Sequence, residues 1–201
     1  MAIEIKEQFT VEAPLETVWS FMIDPAQVVT CMPGAELEEV VDEKTFLGSV
    51  KIKLGAITTR YKGRVQFSNI NEADHEIQML GEGRETGGGT AKATITNRLN
   101  PLPSGEIEII TEARVDLTGR IVQVGRGMIQ GVAHQIFQQF ANSVKARLEA
   151  EAKNAEAGTP ALEPIPGAAN ELRVLPILLQ TLTAAISRFV RKLFGRSTSE
   201  R

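Results

Sequence analysis

Hydrophobic and polar residues alternate along most of the first 121 residues, which is the pattern of β-strands with one face in a core. The first alternating stretch covers residues 3–11. Six more, separated by turn residues, cover 35–41, 45–54, 57–70, 76–85, 88–99 and 105–121. Because short connections join consecutive stretches, the pattern predicts seven strands in a mostly antiparallel, meander-type sheet.

Two regions break this alternation and predict helices. Residues 13–34 predict two short helices, with Pro14 and Pro25 in the first turns, Asp24 as an N-cap and Pro33-Gly34 as the end. From near Gly125 a single apolar stripe with helical spacing predicts a helix of about 28 residues, long enough to cross a curved sheet. The stripe consists of Ile129, Val132, Ala133, Ile136, Phe137, Phe140, Val144 and Leu148. The predicted fold class is therefore α+β, with a long C-terminal helix on an antiparallel sheet.

The strand faces that alternation turns toward this helix are rich in small residues. The inward set comprises Thr59, Tyr61, Gly63, Val65, Phe67, Met79, Gly81, Gly83, Ala91, Ala93, Ile95, Ile107, Ile109, Thr111, Ala113, Val115 and Leu117. Protein interiors are close-packed, and apolar voids cost stability. Small residues opposite a helix therefore indicate either a very close helix approach or a cavity for an apolar ligand, and we favour the cavity.

The predicted ligand-binding residues come from both walls of this cavity. The sheet supplies Tyr61, Phe67, Met79, Ala93, Ile95, Ala113 and Val115, and the helix supplies Met128, Val132 and Ile136. Tyr61 is the single tyrosine of the chain and can offer a hydroxyl group to a ligand headgroup or bond to the backbone.

The residues that usually carry catalysis or bind metals are sparse. His75, His134 and Cys31 show no zinc-ligand spacing, and no catalytic triad is apparent. The glycines of residues 81–89 lie between predicted strands and indicate a hairpin. Gly125, Gly127 and Gly131 precede no further strand, which argues against a dinucleotide fold. We expect these three glycines either to let the helix approach the sheet or to leave space at a cavity mouth. We predict no metal site, no catalytic residues and no enzymatic activity.

Charge is distributed unevenly along the chain. The net charge is -3, but from residue 171 onward six basic and two acidic residues give +4, which leaves -7 for the preceding 170 residues. An acidic body argues against nucleic-acid binding, and the basic tail points to an anionic partner. One cysteine and an N-terminus without signal-peptide features predict a cytoplasmic location.

The C-terminal region divides into two segments. Residues 154–170 are rich in proline, glycine and alanine and predict a linker, and residues 171–201 form an amphipathic basic tail. The uncharged run of the tail, residues 174–187, has 14 residues, fewer than the roughly 20 that a spanning helix needs. A helix lying on an anionic membrane surface is favoured, while docking on a protein and a true span remain as alternatives. The predicted membrane-binding residues are Leu178, Leu182, Ile186, Arg188, Phe189, Arg191, Lys192 and Leu193.

Several of these segments together resemble a known family. Residues 29–40, 55–65, 81–95 and 119–148 are similar to the carbon monoxide dehydrogenase CoxG-like family of the START-like, helix-grip (SRPBCC) superfamily, and the resemblance covers roughly residues 2–150. It implies a curved seven-stranded antiparallel sheet gripping a long C-terminal helix around an apolar cavity. It also implies a role beside molybdenum hydroxylases, particularly carbon monoxide dehydrogenase, in recruitment to the membrane. The family brings no established catalytic residues.

These observations lead to one hypothesis and two rivals. Residues 1–153 are expected to form a helix-grip domain that carries a lipophilic molecule, with no covalent cofactor. A respiratory quinone, menaquinone or ubiquinone, is the expected cargo because its apolar chain cannot cross water unassisted. The tail would attach the protein peripherally to the inner face of the cell membrane. The rivals are a scaffold that anchors the dehydrogenase without a ligand, and an enzyme acting on an apolar substrate.

Overall fold

A computed structural model describes residues 1–55 and 57–156 of the 201-residue chain. The predicted tail, with all eight predicted membrane-binding residues, lies outside the described residues. So does the predicted linker beyond residue 156. Three residues that the sequence assigned to the linker, 154–156, continue the last helix.

The structure confirms the predicted fold, a curved seven-stranded antiparallel sheet with a long C-terminal helix. The strands are β1 (Ala2–Val11), β2 (Ala35–Val40), β3 (Thr45–Leu54), β4 (Ile57–Asn71), β5 (Glu76–Glu85), β6 (Thr90–Pro101) and β7 (Ile107–Leu117). The helices are α1 (Leu15–Met22), α2 (Pro25–Cys31), a 3₁₀ helix (Arg120–Val124) and α3 (Arg126–Glu156). The strand order is β1-β7-β6-β5-β4-β3-β2, a meander whose last strand pairs with the first.

Local sequence signals position the two short helices as expected. The side chain of Asp24 caps α2 by accepting hydrogen bonds from the backbone N–H groups of Ala26 at 2.9 Å and Gln27 at 3.3 Å. Arg147 on α3 then ties this helix down: its Nη1 donates to the Thr30 hydroxyl at 3.0 Å and its Nη2 to the Gln27 side chain at 2.8 Å.

One predicted boundary is wrong. The sequence pattern extended the last strand to residue 121, but β7 ends at Leu117 and a 3₁₀ helix begins at Arg120. Gly119 has φ +85°, a conformation that turns the chain out of the sheet, and the following Ile121 is buried under α3.

A glycine pair bends the middle of the sheet. Gly63 on β4 lies directly opposite Gly83 on β5, and a Cβ on Gly63 would overlap the carbonyl oxygen of Glu82 and come within 2.7 Å of the Gly83 Cα. The backbone of β5 therefore occupies the space of a side chain, which a sheet achieves only where it curves sharply.

The apolar core consists of two clusters. One joins α1, α2 and the C-terminal half of α3 to the sheet, with Phe9 of β1 edge-on to Phe137 and Phe140 at centroid distances of 5.7 and 6.1 Å. The other, around Tyr61, Leu117 and Ile129, joins the start of α3 to the opposite ends of the strands. The middle of the sheet lies between these two clusters.

Candidate ligand-binding site

A cavity of about 590 Å³ lies between the sheet and α3, and side chains from both core clusters line it. Strands β1 and β3 to β7 form one wall. The stripe of α3 that holds Ile129, Val132 and Ile136 forms the other, and α2 adds Val28 and Val29. The volume falls within the range of about 300–1,000 Å³ typical of small-molecule sites. The arrangement can enclose an apolar molecule of that size.

Nine of the ten predicted ligand-binding residues line this one cavity. They are Tyr61, Phe67, Met79, Ala93, Ile95, Ala113, Val115, Val132 and Ile136. Strand alternation gave the inward positions on the sheet, and the register aligns them in rows: Phe67, Met79, Ile95 and Ala113 lie opposite one another across four strands. Contact of these residues with a ligand stays a prediction.

Met128 is the exception. It does not line the cavity and is 50% exposed. Since successive helix residues are rotated by about 100°, Met128 lies roughly a quarter turn from its neighbour Ile129, which faces the cavity. The placement of Met128 in the site was therefore wrong.

The small residues leave space and do not allow close helix approach. A Cβ on Gly81 would meet only the Ala93 Cβ, at 3.6 Å, and no atom of α3 within 4 Å. A Cβ on Gly127 or Gly131 of α3 would meet nothing within 4 Å outside the helix itself. These distances contradict the close-approach alternative for the sheet glycine and for both helix glycines.

Sequence reasoning missed the contributions of α2 and β3 to the cavity. Val28, Val29 and Met32 line it, as do Phe46 and Val50 of β3. The alternation of β3 is readable in the sequence and would have given Phe46 and Val50. No local signal shows which face of a seven-residue helix meets a cavity, because that depends on where Arg147 holds α2.

The lining has polar groups at its two ends. At the end near α1, Thr111 donates from its hydroxyl to Oδ1 of Asn97 at 2.7 Å, and Asn97 is 5% exposed. At the other end lies the Tyr61 hydroxyl, which is buried and has no hydrogen-bond partner among the described residues. The region between the two ends is predominantly apolar.

The environment of Tyr61 keeps its hydroxyl protonated. Burial raises the pKa of Tyr61 above its ordinary value of 10.0, and the negative charge of Glu85, directly opposite on β5, raises this pKa further. The phenol is therefore a hydrogen-bond donor at neutral pH.

The cavity is open to solvent. Val65 belongs to the inward row of β4 and lines the cavity, yet 38% of its surface is accessible. A small molecule can reach the apolar wall without unfolding of the sheet.

The described residues add two further findings. Residues 1–55 and 57–156 contain no group of three or more His, Cys, Asp or Glu side chains placed to hold a metal ion. Within the same residues, no helix combines the length and apolar character that crossing a membrane requires.

Solved structures of low sequence identity share this fold. A conserved protein from Geobacillus kaustophilus aligns with a TM-score of 0.68 at 18% identity, covering 74% of this chain and 97% of that one. The Zhui aromatase/cyclase from Streptomyces sp. R1128 gives 0.53 at 14% identity, covering 80% and 98%. A START superfamily protein from Mycobacterium smegmatis gives 0.50 at 14% identity, covering 74% and 98%. At such identities the likeness establishes the fold alone.

Sequence comparison identifies the family. No curated protein matches this chain significantly. The family model of the carbon monoxide dehydrogenase protein CoxG matches residues 8–149, which include every strand and most of α3. The chain therefore belongs to the carbon monoxide dehydrogenase CoxG family.

Proposed function

We propose that this protein is a non-enzymatic accessory protein of a molybdenum hydroxylase, of the carbon monoxide dehydrogenase type, that carries a respiratory quinone in its cavity. The family supports the association with carbon monoxide dehydrogenase, since its description names that enzyme. The observation that carries the proposal is the cavity of about 590 Å³ with predominantly apolar walls.

The size of the cavity argues for a ligand. Voids left in protein cores cost about 24 cal/mol per Å³, so a dry cavity of this volume would cost on the order of 10 kcal/mol. That cost is comparable to the entire stability of a typical domain, about 5–15 kcal/mol. Apolar ligand atoms would offset it through contacts with the walls. An incidental cavity of this size, as the scaffold alternative requires, would be a large unrecovered cost.

A lipophilic electron carrier fits both the site and the family. A soluble hydroxylase must pass electrons onward, and a quinone cannot leave the bilayer alone because its chain is apolar. The predominantly apolar middle of the cavity would hold the chain or ring, and the donor hydroxyl of Tyr61 would meet a quinone oxygen.

The tail supplies the proposed link to the membrane. Its apolar residues repeat every three or four positions, and Arg188, Arg191 and Lys192 lie close together in sequence. Each basic side chain near an anionic surface contributes roughly 1 kcal/mol of attraction. We infer peripheral attachment to the inner face of the cell membrane.

Native mass spectrometry tests the cargo. The chain without residues 158–201, expressed in a quinone-producing bacterium, should carry a stoichiometric adduct that extracts into organic solvent as a quinone. Removing the tail excludes lipid bound only by the tail. A bare protein that also fails to take up added quinone would refute the carrier and favour the scaffold.

Vesicle sedimentation tests the membrane link. The full chain should sediment with anionic vesicles and recruit purified carbon monoxide dehydrogenase to them, whereas the chain without residues 158–201 should do neither. Equal sedimentation of both chains would refute a tethering role for the tail.

A further inference from the structure

Buried polar side chains without partners are concentrated at one place. Among the described residues, three side-chain atoms are buried without a hydrogen-bond partner: Thr59 Oγ1, Tyr61 OH and Glu85 Oε2. Thr59 and Tyr61 lie two apart on the inward face of β4, and Glu85 lies opposite Tyr61 on β5. Most buried polar groups in proteins are paired, so three orphans on two neighbouring strands require an explanation.

The surroundings hold these groups in place. A Cβ on Gly83 would lie 3.7 Å from Cδ1 of Tyr61, so the tyrosine ring packs over this glycine. A Cβ on Gly89 would lie 2.8 Å from Oε2 of Glu85, so a side chain there would collide with the carboxylate. The hairpin glycine thus leaves the space that the Glu85 carboxylate occupies, at the cavity end formed by Tyr61.

The three groups need both a donor and an acceptor. A carboxylate can only accept, so Glu85 requires a donor. Tyr61 keeps its proton because burial and the Glu85 charge raise its pKa, so Tyr61 requires an acceptor. A threonine hydroxyl serves in either role. A carbonyl oxygen would satisfy only Tyr61, whereas a hydroxyl group can accept from Tyr61 and donate to Glu85.

We propose that this end of the cavity recognises a hydroxyl group on an apolar ligand, with Tyr61 as donor to its oxygen and Glu85 as acceptor of its proton. The inference rests on the proposed quinone-carrying function and refines it: of the two redox forms, the hydroquinone is bound in preference to the quinone. A hydrogen bond to a charged acceptor corresponds to a preference of about 10- to 100-fold. Each tenfold raises the midpoint potential of the bound two-electron couple by about 30 mV.

The test compares both redox forms of one short-chain probe. Decyl-ubiquinone and its chemically reduced hydroquinone are titrated anaerobically into the full chain, and bound probe is measured by ultrafiltration. Ala93→Phe, which fills the cavity wall, serves as the control whose residual binding reports probe held by the tail. The variants are Glu85→Gln, which keeps the side-chain shape but removes the charge, and Tyr61→Phe, which removes one hydroxyl.

The expected results separate the roles of the two residues. Wild-type protein should bind the hydroquinone at least tenfold more tightly than the quinone. Glu85→Gln should reduce this ratio severalfold or more while leaving quinone affinity within about twofold. Tyr61→Phe should weaken both forms. A potentiometric titration of the bound couple should show the potential raised in wild type and lowered again in Glu85→Gln.

Each other outcome has a definite meaning. Equal affinities of wild type for both forms would overturn the hydroxyl preference while leaving the carrier function intact, since the probe binds. A preserved ratio in folded Glu85→Gln would overturn the role of Glu85. If Glu85→Gln does not fold, the wild-type ratio and potential decide alone. Failure of wild type to bind either form would refute the carrier function itself.

Discussion

Filling the cavity is the most direct test of how the interior is used. Ala93 lies in the middle of β6 and faces the cavity, with Gly81 opposite it on β5. A phenyl ring at position 93 would extend into open space. In a close-packed interior the same substitution forces neighbours apart and costs about 1–3 kcal/mol.

The structure predicts the opposite sign for Ala93→Phe. Burying a phenylalanine side chain contributes about 1.5–3 kcal/mol, and the cavity of about 590 Å³ can take the ring without displacing α3. The free energy of unfolding should therefore stay constant or rise by up to about 2 kcal/mol. Ligand binding should fall at the same time, because the ring occupies ligand space.

Urea denaturation measures the first effect, followed by the fluorescence of Trp19, the single tryptophan, which is buried at 4% exposure. The mass of the native protein reports the second effect. Thr94→Phe is the matched control, since it adds the same ring one residue away on the exposed face of β6. A loss of stability above about 2 kcal/mol for Ala93→Phe would show that the interior is packed. Unchanged ligand binding in the folded variant would place the ligand elsewhere.

Three further predictions follow from single contacts. Gly63→Ala should prevent folding because its Cβ would overlap the Glu82 carbonyl oxygen, whereas Gly131→Ala, in open space on α3, should raise the melting temperature slightly; equal effects would contradict the proposed cause of the sheet curvature. Arg147→Ala should lower the urea-derived stability by about 1–3 kcal/mol through loss of its bonds to α2, and an unchanged midpoint would show that α2 is held otherwise. In an alkaline absorbance titration, Tyr61, the only tyrosine, should ionise above pH 10.0, and closer to that value in Glu85→Gln. Because the folded pKa is the higher one, the stability contributed by this group is complete below pH 10.0 and is lost as the pH rises through the folded pKa; ionisation at the ordinary value would refute the burial argument.

The sequence by itself determined the elements and the facing of their side chains. Strand alternation has a period of two and helix amphipathicity a period of 3.6, so both are local and readable without coordinates. The seven strands, the three α-helices and the N-cap at Asp24 all follow from such patterns. The same alternation turned Ala93 and Ala113 inward, which is why most of the cavity wall could be predicted.

The tertiary structure alone decided what the small residues are for. A row of alanines and glycines is compatible with a close helix or with a cavity, and only the separation of α3 from Gly81 distinguishes them. The pairing of Tyr61 with Glu85 likewise depends on the β4–β5 register, which joins positions 24 apart in the chain. The rotation of α3 excluded Met128 and the anchoring of α2 added Val28. These features arise from contacts between distant segments, and such distances and registers are not contained in any local periodicity.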